Sequence, residues 1–362
     1  MRRGSRTIAY YITPHGFGHA VRSLEVIRHL LENSRDDRVI IVSDIPEFLI
    51  IENAGGQVPL RRRRLDVGLV QQDSLRFDVN ATQAAVEALY HGREQLIEEE
   101  VEFLQGEGVT TVVSDVAFLP FFAASRLGIP SIGVGNFTWD WIYGEYALSD
   151  NRWEPLIAWI RQGYRHCGLF LQLPMHGDCS VFPHMQDVPL ITRKARRDPR
   201  EVRKYLELNE GTSVYLIAFA HLDLSERAID RIASIKGALF LFKYPLRYSI
   251  PNSLCLDGLD LTYPDVVAAV DGVITKPGYG IVADCLAHGT PMIYTERGEF
   301  PEYPILVEAM EKYLPTVYIP SQDLCAGRWE AAVNRLKCFP HCIPSLRTDG
   351  AAVCAEMILT SC

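Results

Sequence analysis

The sequence has no apolar run long enough to span a bilayer, no CxxC pair, no GxGxxG turn, no GKS or GKT, and no Asp-x-Asp pair at a strand end. Each absence removes a class of protein. The IAYYI run that follows Arg2, Arg3 and Arg6 is cut by Pro14 and the neighbouring glycines, short of a signal-peptide core or a ~20-residue span, so no transmembrane segment is expected. Nine cysteines in 362 residues are odd in number and lack the tight spacing of a small secreted disulfide framework. Reduced thiols and a cytoplasmic protein are the expectation. Cys338, His341 and Cys342 resemble half a zinc site but find no partner pair at structural-zinc spacing, so no metal is expected. The balance of 36 basic against 45 acidic side chains, a net charge of −9, argues against nucleic acid as a partner, because phosphate binding needs positive charge.

What is present is apolar content for two cores. A chain of 362 residues exceeds the ~250–300 residues at which one core stops growing, and 48% hydrophobic composition excludes disorder. The first half alternates strand and helix. TIAYYIT (Thr7 to Thr13) precedes a Gly-rich turn and a helix with Val21, Leu24, Ile27, Leu30 and Leu31 on one face. RVIIVSD, a short EFLIIENA helix, an edge-like QVPLRRRRL strand, one long helix from Ala81 to Gly108, TTVVSD, a FLPFFAASRLG helix and IPSIGVGN follow. The arginines 61 to 64 read as strand residues with solvated side chains, with the steering of a phosphate as the alternative. A second unit follows the basic linker Arg193 to Gly211, with strands at 213–220, 237–244, 272–276 and 290–296. Uninterrupted apolar strands alternating with helices imply parallel sheets covered on both faces. The expected architecture is α/β: two Rossmann-like, doubly wound domains, residues 1–195 and 196–362, facing a central cleft, with the last helix crossing back to the first domain.

Five segments carry side chains suited to chemistry or to a ligand's faces. In TPHGFGHAVRS, glycines 16 and 18 let backbone approach a ligand, and His19 stands where a strand gives way to a helix; it is either a base or a helix-start residue bonded to backbone. Asp115 ends the VVSD strand, where it can orient an imidazole or cap the next helix. In TKPGYGIVADCLAHGTP a Pro-Gly-Tyr-Gly turn exposes N–H groups at a helix start, with Asp284 one to two turns inside, as a phosphate-and-ribose site requires. Arg297, Glu299 and Glu302 can read sugar hydroxyls or be solvated loop charge. Trp139, Trp141 and Tyr143 are suited to sugar or aromatic faces, or to core packing.

GFGHA after the first strand, DVGLVQQD (Asp66 to Asp73), the VSD ending at Asp115, NFTWDWIYGEY (Asn136 to Tyr146) and KPGYG (Lys276 to Gly280) occur in one order over nearly the whole chain. In these the chain resembles the GT-B glycosyltransferases, in particular the inverting superfamily and the glycosyltransferase-like N-terminal region of L-arabinokinases. The resemblance implies His19 as general base on the acceptor and Asp115 as the residue that orients it. It implies an acceptor site at His15, Phe17, Gln71, Asp73, Asn136, Trp139 and Asp140. On the donor side it implies Thr275, Lys276, Gly278, Tyr279, Gly280, Asp284, Arg297 and Glu302. Two departures stand out: Asp284 replaces the usual Glu, and the turn AFAHLDLS has no glycine, so His221 is expected to face the phosphates instead. The implied activity is metal-independent, inverting transfer from a nucleotide-diphosphate sugar, UDP-sugar foremost, to a small-molecule or carbohydrate hydroxyl, with no cofactor and with a homodimer left open. Sugar phosphorylation is not expected, since no PxxxGLxSS-type loop appears. The rivals are an epimerase or hydrolase on the same fold and a non-catalytic nucleotide-sugar-binding protein.

Overall fold

The computed structural model describes residues 5–34, 36–54, 58–72, 76–298, 300–339 and 344–361. The chain divides into two units: Met1–Gln71, Phe77–Thr192 and Arg347–Cys362 in the first, Gln72–Arg76 and Arg193–Leu346 in the second. In unit 1 the elements are β1 (Thr7–Ile12), α1 (Phe17–Asn33), β2 (Arg38–Val42), α2 (Glu47–Asn53), β3 (Leu60–Arg61), α3 (Val79–His91), α4 (Arg93–Gly106), β4 (Thr111–Asp115), α5 (Leu119–Leu127), β5 (Ser131–Gly135), α6 (Trp139–Ala147), α7 (Trp153–Arg165), β6 (Leu169–Gln172) and β7 (Met185–Asp187). Unit 2 contains α8 (Pro199–Tyr205), β8 (Ser213–Ala218), α9 (Glu226–Ala233), β9 (Ala238–Phe242), β10 (Ser253–Cys255), α10 (Tyr263–Ala269), β11 (Gly272–Thr275), α11 (Tyr279–His288), β12 (Met292–Tyr294), α12 (Glu302–Tyr313), β13 (Thr316–Tyr318), α13 (Ser321–Cys325) and α14 (Glu330–Leu336). The last helix, α15 (Gly350–Thr360), returns to unit 1 and packs on α1.

Both sheets are parallel, in the orders β3-β2-β1-β4-β5-β6-β7 and β10-β9-β8-β11-β12-β13. Every residue of β4 and β5 is buried, which requires cover on both faces and accounts for their continuous apolar sequence. In each sheet the strand order reverses once, between β1 and β4 and between β8 and β11. At such a reversal the flanking loops diverge and leave a crevice at the strands' carboxyl ends. β1 and β4 are in register with Ile12 beside Asp115, so the chain that leads into α1 and its His19 leaves the sheet at the reversal point where β4 ends in Asp115.

Three sequence expectations change. The long helix breaks at Gly92 into α3 and α4. Among the described residues of QVPLRRRRL only Leu60 and Arg61 form a strand, in register with Ile41 and Val42 of β2. The arginine run is not uniformly solvated: Arg61 donates to both oxygens of the fully buried Glu100 at 2.7 Å, and Arg63 pairs with Glu99 and Glu100. At Arg61 and Arg63 these ion pairs cancel the charge a phosphate would need. Strands β6, β7, β10 and β13 span three or four residues each, and β7, β10 and β13 lie at sheet edges. Among the described residues no helix is long and apolar enough to cross a membrane.

Candidate functional site

Gly16 precedes α1 at φ 81°, a conformation that favours glycine, and no side chain caps the helix. His19 and Arg22 lie three residues apart and therefore share one face of α1. That face meets the end of β4. His19 Nδ1 lies 2.9 Å from Asp115 Oδ1, and its ring stands edge-on to Phe137. Arg22 Nε donates to Asp115 Oδ2 and Nη2 to Oδ1, both at 2.7 Å, while Nη1 donates to Asn136 Oδ1 at 2.6 Å. Ser23 Oγ adds a bond to Oδ2 at 2.8 Å. Asp115 is fully buried. Burial opposes its ionisation, but the charges of Arg22 and then His19 outweigh it and hold the carboxyl well below the usual carboxylate range.

Asp115 does not cap the next helix, since α5 begins after Phe118 with no side-chain cap. The turn between them is strained: Val116 has φ 56°, an outlying conformation for a β-branched residue. Its carbonyl accepts from Tyr164 Oη at 2.7 Å, and a Cβ on Gly135 would come within 2.9 Å of its Cγ1. Such strain persists only where surrounding contacts over-determine it.

The DVGL segment packs beside this pair. Leu69 N–H donates to His15 Nδ1 at 3.2 Å, and the His15 ring stands edge-on to Trp139. Trp139 Nε1 donates to Asp66 Oδ2 at 2.9 Å and Tyr143 Oη to the Gly68 carbonyl at 2.8 Å. Trp139 is fully buried, so it supports this segment instead of offering a face to a ligand. Burial also raises the Asp66 carboxyl, against hydrogen bonds from Thr13 and Trp139. Asp140 is buried and accepts from Arg161 at 2.9 Å, Phe17 packs edge-on to Phe48, and Gln71 is exposed. Asp73, Glu299, His341 and Cys342 lie outside the described residues.

In unit 2 the turn after β11 ends in Gly278, which opens α11 without a side-chain cap. Thr275 Oγ1 donates to the Ala218 carbonyl at 2.7 Å and ties β11 to β8; Lys276 is half-buried, and Tyr279 and Gly280 are buried. Arg297 braces the turn from behind. Its Nη1 donates to the Pro277 carbonyl at 3.2 Å and to Glu302 Oε2 at 3.0 Å, and its guanidinium lies 4.3 Å over Phe300. Arg297 and the buried Glu302 thus neutralise each other. Asp284 is buried in an ion pair with Arg193, whose Nε donates to Oδ2 at 3.1 Å, so its carboxylate is already engaged from the linker. His221 is exposed and pairs with Asp223 at 3.0 Å, and α9 after it is capped by Ser225. Among the described residues no three His, Cys, Asp or Glu side chains gather as a metal site.

Arg22, Ser23, Val116 and Arg193 were not singled out by sequence. For Arg22 a signal existed: a charged residue three positions from His19, flanked by apolar Val21 and Leu24 on the core face of α1.

No family model matches the chain. L-arabinokinase from Arabidopsis thaliana is 34% identical over 344 residues, covering 91% of this chain and 32% of that protein. The chain thus spans about a third of the length of the curated relative it matches. The glycotransferase of kitacinnamycin superposes with a TM-score of 0.64 at 17% identity, covering 99% of both chains. A UDP-glucosyltransferase from Polygonum tinctorium gives 0.61 at 15% identity, covering 100% of this chain and 99% of its own. With its two parallel α/β sheets, the chain has the GT-B fold of the glycosyltransferases, and in sequence it is a homologue of part of L-arabinokinase.

Proposed function

We propose that this protein transfers a sugar, with inversion, from a nucleotide-diphosphate sugar to a hydroxyl of a small-molecule or carbohydrate acceptor. The observation that carries this reading is the buried His19–Asp115 pair at the reversal point of the unit 1 sheet. With Nδ1–H directed at Asp115, Nε2 presents a lone pair and takes the acceptor proton as the oxygen attacks the anomeric carbon. Asp115 then stabilises the imidazolium. The N-terminus of α11, which starts at Gly278 without a side-chain cap, is the candidate seat for the leaving diphosphate, where N–H groups and the helix dipole favour negative charge without a metal. A UDP-sugar is the first donor to test.

A thermal-shift panel of nucleotide-diphosphate sugars identifies the donor, since a ligand at 100 times its Kd stabilises by about 2.7 kcal/mol. With that donor and an acceptor panel, His19→Ala is expected to lower turnover by about 10²–10⁴-fold. Turnover is expected to survive EDTA. Full activity of His19→Ala removes the base, and loss on chelation restored by magnesium or manganese removes metal independence. A second reading, a silent nucleotide-sugar binder, draws on the engagement of Asp284 by Arg193 and on the capped α9. Donor binding without any product identifies it, and a changed sugar on the same nucleotide identifies an epimerase.

A further inference from the structure

His19 Nδ1, Asp115 Oδ1 and Arg22 Nη2 form a closed triangle with sides of 2.9, 2.7 and 3.0 Å. An ionised carboxylate only accepts hydrogen bonds and a guanidinium only donates them, so Nδ1 alone can play either part. When Nδ1 carries the proton it donates to Oδ1, and Nε2 is bare. When Nδ1 is bare it accepts from Nη2, faces Oδ1 lone pair to lone pair, and Nε2 carries the proton. The first form can act as a base; the second cannot.

We propose that Arg22 is a positioning residue that selects the Nδ1–H tautomer of His19 by fixing the plane of the Asp115 carboxylate. The proposal rests on His19 as the proposed base, but the tautomer itself belongs to the unliganded protein. Arg22 grips both carboxylate oxygens with parallel bonds and anchors its third nitrogen on Asn136, so the carboxylate cannot rotate Oδ1 away from the ring. A bond from Nδ1–H to this fixed oxygen joins a donor to an anion, whereas the other tautomer, although Nδ1 then accepts from the second Nη2 N–H, sets its lone pair against that of an anionic oxygen at 2.9 Å. Lysine at this position would keep the charge and lose the fork, since an ammonium is a point charge.

The test is the imidazole ¹⁵N spectrum of His19 in the unliganded protein, at a pH where the ring is neutral. The parent is expected to show a protonated Nδ1 and a bare Nε2. Arg22→Lys is expected to show mixed tautomers and, with an active donor and acceptor, turnover lower by on the order of 10–100-fold at nearly unchanged donor KM. A parent spectrum with the proton on Nε2 overturns the proposal, as does an Arg22→Lys protein that keeps both the Nδ1–H signature and full turnover. Should Arg22→Lys fail to fold, Asn136→Ala removes the acceptor of Nη1, together with a donor to the Met175 carbonyl at 3.4 Å; a partial shift toward mixed tautomers supports the proposal, and a spectrum identical to the parent's overturns it. A parent inactive with every donor, yet showing the expected spectra, would remove sugar transfer and leave the role of Arg22 standing.

Discussion

At the residue scale, Asp115 shows what a fully buried carboxylate needs: its two oxygens accept from Arg22, Ser23 and His19, so desolvation is offset by charge and by hydrogen bonds. If it acts on the reaction only through His19, Asp115→Asn should lower turnover in the parent and add little to His19→Ala, because residues acting as a unit are strongly non-additive. Turnover of the two single variants and the double variant decides this. Additive losses would assign Asp115 a separate role. Removing the charge also leaves Arg22 buried without its anion, so Asp115→Asn should lower stability by about 3–5 kcal/mol in urea unfolding. The first effect is on chemistry and the second on folding, and the cycle distinguishes them.

At the element scale, two helix starts each depend on a single residue. α15 begins at Gly350, whose N–H donates to the Leu190 carbonyl at 3.1 Å, and a Cβ there would lie 2.1 Å from the Pro189 carbonyl oxygen. Helix propensity alone would make Gly350→Ala stabilising by about 1 kcal/mol. The backbone clash has the opposite sign, and overpacking costs about 1–3 kcal/mol or more. We expect destabilisation, read by urea unfolding; a more stable variant would mean that α15 can shift away from the 189–190 segment. In unit 2, Glu296 accepts from Ser321 N–H at 2.9 Å at the start of α13, and also from Tyr318 and Thr295. Burial raises its pKa, but hydrogen bonds from Ser321 and the neighbouring backbone prevail and bring it from 4.5 to about 2. Its contribution to stability is therefore complete above about pH 4.5 and lost as pH falls toward 2. Glu296→Gln should flatten the stability–pH curve across that window, and an unchanged slope in acid would place the acid sensitivity elsewhere.

At the scale of the whole molecule, the proposed base and the proposed diphosphate seat belong to different units, each with its own sheet and reversal point. Binding and chemistry should then separate by mutation. Gly280→Val, in the first turn of α11, should abolish nucleotide binding in calorimetry while the His19 spectrum of unit 1 stays as in the parent. His19→Ala should do the reverse, keeping donor affinity. Unchanged nucleotide affinity in Gly280→Val would move the donor site away from α11.

The alternation of apolar strand and amphipathic helix, the parallel sheets, the helix start at His19, the strand end at Asp115 and the KPGYG turn were legible in the sequence, because each depends on neighbours within a few residues: apolar runs, glycine turns and helix starts. What those side chains touch was not legible. Arg22 and Asp115 are 93 residues apart in the chain and Arg193 and Asp284 are 91 apart, and no local pattern encodes such pairings. The burial of Trp139 likewise depended on Asp66, 73 residues before it. Only tertiary structure decided that Arg22 shares the His19–Asp115 cluster, that Asp284 is engaged by the linker, and that α15 packs on α1, because a buried charge takes its partner from whichever element the fold brings alongside.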